Sequence, residues 1–448
     1  MGSLGWKIGE WKAEFKVSAM KLSEEEEKLV LSVAERFRDQ TQKREISDEG
    51  QANALIGKSL ERECDEEGIE LDSDQKEYIA KSVFMQTFGM GFLEELISDQ
   101  TLEEIAVIGL EKPIYVYVRG KGWKRTNVAI DSLDYFISLV NRMGRGLGRR
   151  LTSQQPRMNA VLDDGSRLHA SMPPISGCEL TIRKFGKEPL SAFDLLSFGT
   201  FDAKTLALLS LAMQADLSIM VAGNTASGKT TTLNALLSFI PASERLLLIE
   251  ETPEIATPHP HQVRLLPFEE IGMTELVRDS LRMRPDRVVV GETRGAGEAR
   301  AFLESALSGQ AKGCYTTFHA QTFRDALLRM RMMGCMEADL GGIDLCIVQR
   351  RVSTYETGKK KVGERRKVTE ISISNEKEIF SPIIAYDGKK YSGRALSLLL
   401  GKISEATELS VQEVGKEAAQ RSAFLQKKGK TRGFEKCFSA IQGEFFGI

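Results

Sequence analysis

Residues 223–230 read Gly-Asn-Thr-Ala-Ser-Gly-Lys-Thr, which fits the phosphate-binding pattern G-x-x-x-x-G-K-[ST] at every fixed position. The two glycines allow a tight turn and let the backbone approach a phosphate without a Cβ in the way, and the amides of such a loop attract anions. Lys229 supplies positive charge to the β- and γ-phosphates, while the Thr230 hydroxyl is a hard oxygen ligand for Mg²⁺. The motif therefore predicts a site for ATP and Mg²⁺, with Thr230 as the metal ligand. The residues expected to bind nucleotide are Gly223, Asn224, Thr225, Ala226, Ser227, Gly228, Lys229, Thr230 and Thr231.

An acidic segment follows the apolar run 246–249 and contains Glu250, Glu251 and Glu254. Magnesium-dependent phosphoryl transfer needs carboxylates that hold the hydrated metal and orient the attacking water. On its own this segment also fits a solvated loop. Beside a phosphate-binding loop, we expect the three glutamates to belong to the catalytic site.

Glu292 follows three consecutive valines at 288–290 and a single glycine. A glutamate in this position would project from the carboxyl end of a buried strand, which is where α/β folds bind their ligands. We therefore expect Glu292 to be catalytic. The pattern does not decide which carboxylate polarises the water and which contacts the hydration shell of the metal.

His319 ends another strand-like run, in the segment 316–320, Thr-Thr-Phe-His-Ala. A histidine at a strand end can donate a hydrogen bond to a γ-phosphate, although a partly buried histidine with ordinary partners explains the pattern as well. For His169, His259 and His261 no metal-ligating neighbours are evident, and structural roles are expected.

Arginines are expected to complete the site, because the planar guanidinium group neutralises charge on a transferred phosphoryl group. The spacing alone does not choose among the candidates. Those near Glu292 are Arg282, Arg284, Arg287 and Arg294, and those earlier in the chain are Arg149, Arg150, Arg157, Arg167 and Arg183.

The elements around these motifs fit a doubly covered, mainly parallel sheet. Apolar strand-like runs at 217–222, 246–249, 288–290 and 315–318 alternate with helical spacing. Directly after the loop, the apolar positions 233, 236, 237 and 240 share one helix face. The predicted fold class is α/β, with a P-loop motor domain of RecA-like type.

Five segments are expected along the chain. Residues 1–95 are expected to be a helical extension, with one helix starting after Ser23 and another at 78–97. Residues 96–186 are expected to be an α+β domain with strands at 114–118, 167–171 and 179–185, a turn at 163–165, and a helix at 131–143. A linker at 187–199, the motor domain at 200–350, and a charged and helical region at 351–448 complete the organisation.

Composition limits the classes of function. The 61 Lys and Arg residues nearly balance the 63 Asp and Glu residues, and the formal net charge is −2, so the basic footprint typical of nucleic-acid binding is absent. The six cysteines contain no C-x-x-C pair, which predicts neither a zinc site nor a disulfide framework. The sequence lacks a signal-peptide core and an apolar run of ~20 residues, so a cytoplasmic protein with peripheral membrane contact is expected.

Taken together, the motifs resemble those of the secretion-superfamily ATPases, which serve type II and type IV secretion, type IV pili and the archaeal flagellum-like filament. The resemblance covers roughly residues 95–350, and the flanking regions are most similar to the archaeal branch. The segments that carry it are 163–167, 180–185, 223–230, 249–254, 281–287, 290–292 and 316–320.

This resemblance implies a homo-hexameric ring that works on an integral membrane platform protein. It also implies that Glu292 activates water and that Gly291 replaces the aspartate of ordinary P-loop ATPases. The glutamates after residue 249 match the acidic box of the family, and His319 matches its histidine box. Arg167 and Arg183 match arginines that reach the phosphates in some relatives.

Two features depart from the relatives. The acidic box has Glu251 where many relatives have aspartate, which lengthens the side chain and keeps its charge. The zinc module of some type II relatives is missing.

Three functions are compatible with the motifs. The first is a motor that uses ATP hydrolysis for secretion or filament assembly. The alternatives are a nucleic-acid translocase, which the neutral charge disfavours, and a nucleotide-gated scaffold, which the complete set of Lys229, Thr230 and Glu292 disfavours.

Overall fold

The computed structural model describes residues 5–18, 22–43, 48–145, 148–162, 164–184, 188–355, 362–374, 380–384 and 393–448. The chain divides into two compact units, Met1–Lys187 and Glu188–Ile448. Within the described ranges, no helix combines the length and the apolar character needed to cross a bilayer.

Among its described residues, the first unit has five helices: α1 Glu24–Lys43, α2 Glu49–Glu67, α3 Ser73–Thr87, α4 Leu93–Ser98 and α5 Leu133–Met143. The helix starts are explained by capping: Asp48 and Asp72 accept hydrogen bonds from amides in the first turns of α2 and α3. The predicted start after Ser23 is confirmed by α1. The predicted helix at 78–97 is wrong in its continuity, because the chain leaves α3 at Thr87 and passes through Gly91, whose φ is +59°, before α4.

In the part of this unit that the structure describes, seven strands form an antiparallel sheet: β1 Trp6–Ile8, β2 Leu102–Ile108, β3 Pro113–Val118, β4 Gly122–Ile130, β5 Arg157–Val161, β6 Arg167–Ser171 and β7 Glu179–Arg183. Their order is β1-β4-β3-β2-β7-β6-β5. The predicted α+β character, its strands and the helix α5 are confirmed. β1 was not expected, because the first 95 residues were predicted to be helical. Asp163 and Phe185 of the predicted motifs lie outside the described residues.

The described residues of the second unit form an eight-stranded sheet: β8 Ile219–Gly223, β9 Leu246–Ile249, β10 Gln262–Leu265, β11 Arg287–Thr293, β12 Gly313–His319, β13 Leu345–Tyr355, β14 Val362–Ser374 and β15 Phe380–Ile384. Their order is β10-β9-β11-β12-β8-β13-β14-β15. The pairs from β10 to β13 are parallel, and β14 and β15 add antiparallel edges. The predicted mainly parallel sheet is confirmed.

Helices cover both faces of this sheet: α6 Ala192–Ser197, α7 Ala203–Ala212, α8 Lys229–Leu237, α9 Met273–Ser280, α10 Ala296–Leu307, α11 Phe323–Met332, α12 Glu337–Leu340, α13 Gly393–Thr407, α14 Val411–Lys428 and α15 Phe434–Phe446. Along β8, Ile219 and Val221 enter the core formed with α7, α8 and α14, while Met220 and Ala222 enter the core formed with α10 and α11. Burial on both faces explains why the strand sequences are continuously apolar.

The segments that flank the predicted motor domain differ from expectation. The predicted linker 187–199 contains α6, whose Phe193 is fully buried in the core of the second unit. The predicted boundary at residue 350 falls inside β13, and the charged residues 365–367 lie in strand β14. Strand pairing decides this, because β14 hydrogen-bonds to β13 over most of its length. In the region 351–448, which was predicted to be charged and helical, the helices α13, α14 and α15 are present, whereas the charged residues 359–361 lie outside the described residues.

Candidate nucleotide-binding site

The predicted phosphate-binding loop joins the end of β8 to the start of α8. Ala226 has a φ of +59° and Gly228 a φ of +93°, so the loop turns through two left-handed residues before the helix begins at Lys229. Left-handed residues before a helix gather backbone N–H groups into a concave anion-binding nest. A Cβ on Gly223 would lie 2.2 Å from the carbonyl oxygen of Gln349, so this position admits no side chain. The local geometry therefore fits phosphate binding.

Strand order brings the other predicted motifs to this loop. β12 lies between β8 and β11, and β11 lies between β12 and β9. All four strands are parallel, so their carboxyl ends meet at one edge of the sheet. In this register His319 pairs with Gly223, and Glu292 pairs with Thr317. The catalytic candidates from three separate segments therefore lie beside the loop.

His319 lies between Lys229 and Glu292. The Nζ atom of the buried Lys229 is 3.4 Å from Nε2 and 3.5 Å from Nδ1 of the imidazole. Nε2 of His319 is 2.6 Å from Oε1 of Glu292. These side chains, which come from α8, β12 and β11, form a polar row.

The charge states in this row follow from its surroundings. Burial and the nearby Lys229 ammonium lower the pKa of His319, against the opposing effect of Glu292. For Glu292, burial raises the pKa, but the hydrogen bonds and charge of Arg294, together with His319 and Lys229, lower it overall. The row therefore holds a neutral imidazole and an ionised carboxylate at neutral pH.

Arg294 binds Glu292 from the other side. Its Nη2 and Nε atoms lie 2.8 Å and 3.0 Å from Oε2 of Glu292, and its Nη1 donates to Glu251. Among the arginine candidates, Arg294 is thus placed at the carboxylates of the site. Glu251 itself is well exposed, with 61% of its side chain accessible.

Glu250 is buried and braces the turn that follows β9. Its Oε1 accepts hydrogen bonds from the amides of Glu254 and Ile255, both at 2.7 Å, and its Oε2 lies 3.2 Å from Nε of Arg264. Burial raises its pKa, although both amides and Arg264 oppose that shift. A Cβ on Gly291 would lie 2.9 Å from Cγ of Glu250. Glu250 therefore shapes the turn, and Gly291 makes room for it.

Glu254 reaches the predicted metal ligand. The Thr230 hydroxyl donates to Oε2 of Glu254 over 3.1 Å, and the Asn234 amide donates to the carbonyl of Glu254 over 3.4 Å. A hydroxyl and a carboxylate at this separation are the hard oxygen donors that suit Mg²⁺ or its bound water.

Other sequence candidates lie away from these residues. Arg287, at the amino end of β11, is fully buried and paired with Glu244, which places it at the opposite edge of the sheet from Glu292. Arg282 has 85% of its side chain exposed. His259 is buried between Thr257 and the carbonyl of Ile240, which agrees with the structural role expected for it.

Arg167 and Arg183 belong to the first unit, as do Arg149, Arg150 and Arg157. Arg167 on β6 and Arg183 on β7 are register partners. On its other side, Arg183 has Glu104 on β2 as its register partner. Partners in register share one face of a sheet. The role of the two arginines toward a nucleotide stays a prediction.

Comparisons with known proteins now identify the family. The family model described as Type II/IV secretion system protein matches residues 145–442, which is more than half of the chain. The chain belongs to the Type II/IV secretion system protein family. The expected membership in the secretion superfamily is confirmed.

Individual members of this family show the extent of the similarity. The chain is 37% identical over 248 residues to the uncharacterized protein MJ0781 of Methanocaldococcus jannaschii, covering 52% of this chain and 34% of that one. This match to an archaeal protein agrees with the expected archaeal resemblance. The chain is 35% identical over 269 residues to the type IV secretion system protein PtlH of Bordetella pertussis, covering 52% of this chain and 78% of PtlH. The match to MJ0781 means that the chain spans about a third of the length of that protein.

A solved structure is also similar to this chain. The VirB11 ATPase of the Brucella suis type IV secretion system, crystallised with sulphate, is 25% identical with a TM-score of 0.33, covering 63% of this chain and 92% of VirB11. Because this score is below 0.5, the family assignment rests on the sequence matches.

Sequence reasoning missed the part of the site that comes from β13 and β14. Gln349, on β13, pairs with Gly223 and is 1% exposed. The Arg351 amide donates to Oδ1 of Asn224 over 3.1 Å, and Nε of Arg366 donates to the carbonyl of Ala226 over 3.0 Å. The available signal was a glutamine directly after the apolar run 345–348, at the carboxyl end of a buried strand.

Proposed function

We propose that this member of the Type II/IV secretion system family hydrolyses ATP with Mg²⁺ in a homo-hexameric ring. We further propose that hydrolysis powers protein secretion or the assembly of a type IV pilus-like filament. The ring would act from the cytoplasm on an integral platform protein of the membrane. The observation that carries the proposal is the row Lys229, His319 and Glu292 beside the phosphate-binding loop.

The residues present suit magnesium-bound ATP. The loop provides a nest of backbone amides beside Gly228. The backbone at this position is left-handed, a conformation that glycine adopts without steric cost. Lys229 provides a buried cation, and the Thr230 hydroxyl with Glu254 provides oxygen ligands for a divalent ion or its water. Bound ATP would supply the phosphoryl group, and Mg²⁺ would withdraw charge from its oxygens.

In this proposal Glu292 accepts the proton of the attacking water. Its lowered pKa keeps the carboxylate ionised and ready to accept a proton. Nε2 of His319 lies 2.6 Å from the Oε1 atom of Glu292, and Arg294 donates hydrogen bonds to its Oε2 atom. His319 also adjoins Lys229, so the imidazole joins the residue that binds phosphate to the residue that activates water.

The remaining acidic residues and arginines have supporting roles. Glu250 holds the turn that presents Glu254, and Glu251 anchors Arg294. We propose that Arg167 and Arg183 neutralise phosphate charge, as their resemblance to the family implies. Two guanidinium groups on paired strands of one face suit an anion.

Two variants test the chemistry. Lys229→Ala should abolish nucleotide binding, because the loop loses its cation. Glu292→Gln should retain ATP binding and reduce kcat by about 10²–10⁴-fold, the usual contribution of a general base. Glu304→Gln changes an exposed glutamate on α10 in the same way, and should retain wild-type turnover. ATP binding would be measured by calorimetry, and turnover by phosphate release.

Unchanged turnover in Glu292→Gln would remove its assigned role, and unchanged nucleotide binding in Lys229→Ala would refute the binding site. The choice of motor is tested separately. The wild-type protein should co-purify with an integral membrane protein from solubilised membranes, and its turnover should not respond to DNA. Strong stimulation by single- or double-stranded DNA would favour the nucleic-acid translocase.

A further inference from the structure

Strands β13 and β14 form a hairpin that continues the sheet directly beside the phosphate-binding loop. β13 runs parallel to β8, and the last pair of their register joins Gln349 to Gly223. β14 then returns antiparallel to β13, which brings Arg366 opposite Arg351. The hairpin therefore lies against the side of the loop that faces away from β12.

Hydrogen bonds connect this hairpin to the loop along its length. At the start of the loop, the backbone amide of Arg351 donates to the side chain of Asn224. In the middle of the loop, the guanidinium of Arg366 donates to the carbonyl of Ala226, one of the left-handed residues. Beyond the loop, in the first turn of α8, the hydroxyl of Thr232 donates to Oε1 of Gln349 over 2.5 Å.

Gln349 also limits the space around both glycines of the loop. Its carbonyl oxygen lies 2.2 Å from where a Cβ on Gly223 would stand, and its Nε2 lies 3.1 Å from where a Cβ on Gly228 would stand. Gln349 and Thr232 are almost completely buried. A buried polar pair of this kind is costly to break, because the remaining partner is left without water or a new acceptor.

The same hairpin holds the segment that follows His319. Oε2 of Glu370, on β14, accepts a hydrogen bond from the amide of Phe323 at the start of α11, over 3.3 Å. The Ser372 hydroxyl fixes the other oxygen of Glu370 over 2.7 Å. One hairpin thus supports two segments of the nucleotide site.

We propose that Gln349 is a positioning residue that fixes the phosphate-binding loop and the start of α8 in the conformation that accepts a nucleotide. This inference rests on the proposed nucleotide-binding function of the loop. Gln349 acts through Thr232 and the backbone of the two glycines, and it does not itself contact phosphate. Gln349 therefore affects the affinity of the phosphate-binding loop for nucleotide, and it does not affect the chemistry of Glu292.

Replacement of Gln349 by leucine tests this role, because leucine keeps much of the volume and removes both polar atoms. We expect Gln349→Leu to bind ADP with Mg²⁺ about tenfold more weakly than wild type, corresponding to one lost buried hydrogen bond. KM for ATP should rise by a similar factor while kcat stays near the wild-type value, since binding is weakened equally in the ground and transition states. ADP affinity would be measured by calorimetry on the full chain.

Two variants of Thr232 examine the same bond from the other side. Thr232→Val removes the donor with little change in shape, and should weaken ADP binding to a similar extent. Thr232→Ser keeps the hydroxyl, and should restore ADP affinity to within about twofold of wild type. The double variant Gln349→Leu with Thr232→Val should bind no worse than either single variant, because the two side chains form one bond.

Thr369→Val provides the matched control. Thr369 lies on the same hairpin, is 5% exposed and donates to the carbonyl of Val348, a bond internal to the hairpin. This variant should retain wild-type ADP affinity, whatever its effect on the temperature of unfolding.

Wild-type ADP affinity in folded Gln349→Leu would overturn the inference, and so would an equal loss of affinity in Thr369→Val. Failure of the wild-type protein to bind ADP would instead refute the proposed function. If Gln349→Leu does not fold, the comparison of Thr232→Val with Thr232→Ser decides the question.

Discussion

Removal of Glu244 should destabilise the second unit without weakening its nucleotide site. Glu244 is the acidic partner of Arg287, whose side chain is fully buried, and their atoms Oε2 and Nε are 2.6 Å apart. The guanidinium also donates to the hydroxyl of Tyr315 and the carbonyls of Ala215 and Gln214, at 3.0–3.1 Å. The network joins the amino ends of β11 and β12 to the segment before β8.

The expected loss of stability in Glu244→Ala follows from the burial of Arg287. In Glu244→Ala the Arg287 guanidinium keeps its neutral acceptors and loses the carboxylate that balances its charge. An unbalanced charge in a buried pair costs about 3–5 kcal/mol. Arg287 precedes Glu292 by five residues of strand, a separation of about 16 Å at ~3.3 Å per residue. ADP affinity of the folded variant should therefore equal that of wild type.

Two spectroscopic signals separate the units in a urea titration. All three tryptophans, Trp6, Trp11 and Trp123, lie in the first unit, so their fluorescence reports that unit. Circular dichroism at 222 nm reports both units, and the two transitions would be fitted separately. Glu244→Ala should shift the dichroism transition and leave the fluorescence transition in place.

Arg282→Met is the control for this experiment, because the Arg282 side chain is mostly exposed and its loss should cost less than about 0.5 kcal/mol. A loss below about 1 kcal/mol in Glu244→Ala would refute the account of the buried pair. Weaker ADP binding in the folded variant would refute the separation of Arg287 from the nucleotide site.

Three further outcomes are expected. Gly291→Ala should lower the free energy of unfolding in the same urea titration by about 1–3 kcal/mol, because its Cβ meets Glu250 at 2.9 Å, and an unchanged midpoint would contradict this. Arg294→Met should move the acidic limb of the kcat–pH profile to higher pH, because its loss raises the pKa of Glu292; an unmoved limb would exclude Glu292 as the group that titrates. Burial lowers the pKa of His259 below the usual histidine value of about 6.5, so the unfolded chain binds its proton first and stability should fall as pH decreases through that value. His259→Asn should reduce this dependence between pH 7.5 and 5.5, and an identical dependence would assign it to other groups.

Much of the first unit was predictable where local patterns decide structure. The strand at 114–118 was predicted where β3 lies, and Ser23 marked the start of α1. β1 was not predictable, because three residues carry too little periodicity. It forms by pairing with β4, more than a hundred residues later.

The arginine candidates show where sequence distance misleads. Arg287 and Arg294 both lie close to Glu292 in the chain, and both suited a phosphate-neutralising role. Strand direction separates them: Arg287 lies at the amino end of β11, whereas Arg294 follows its carboxyl end and binds Glu292. Charge and spacing in the sequence do not show which arginine lies near Glu292. That depends on the direction of β11 in the sheet.

The sequence by itself determined the phosphate-binding loop, because that motif is local: the left-handed turn at Gly228, the lysine and the helix start depend on neighbouring residues. The tertiary structure alone decided which distant groups meet the loop. His319 and Glu292 arrive through the order of parallel strands, and Gln349 arrives through a hairpin that extends beyond the expected motor-domain boundary at residue 350. Strand order depends on packing across the whole core, and no local pattern of residues specifies it.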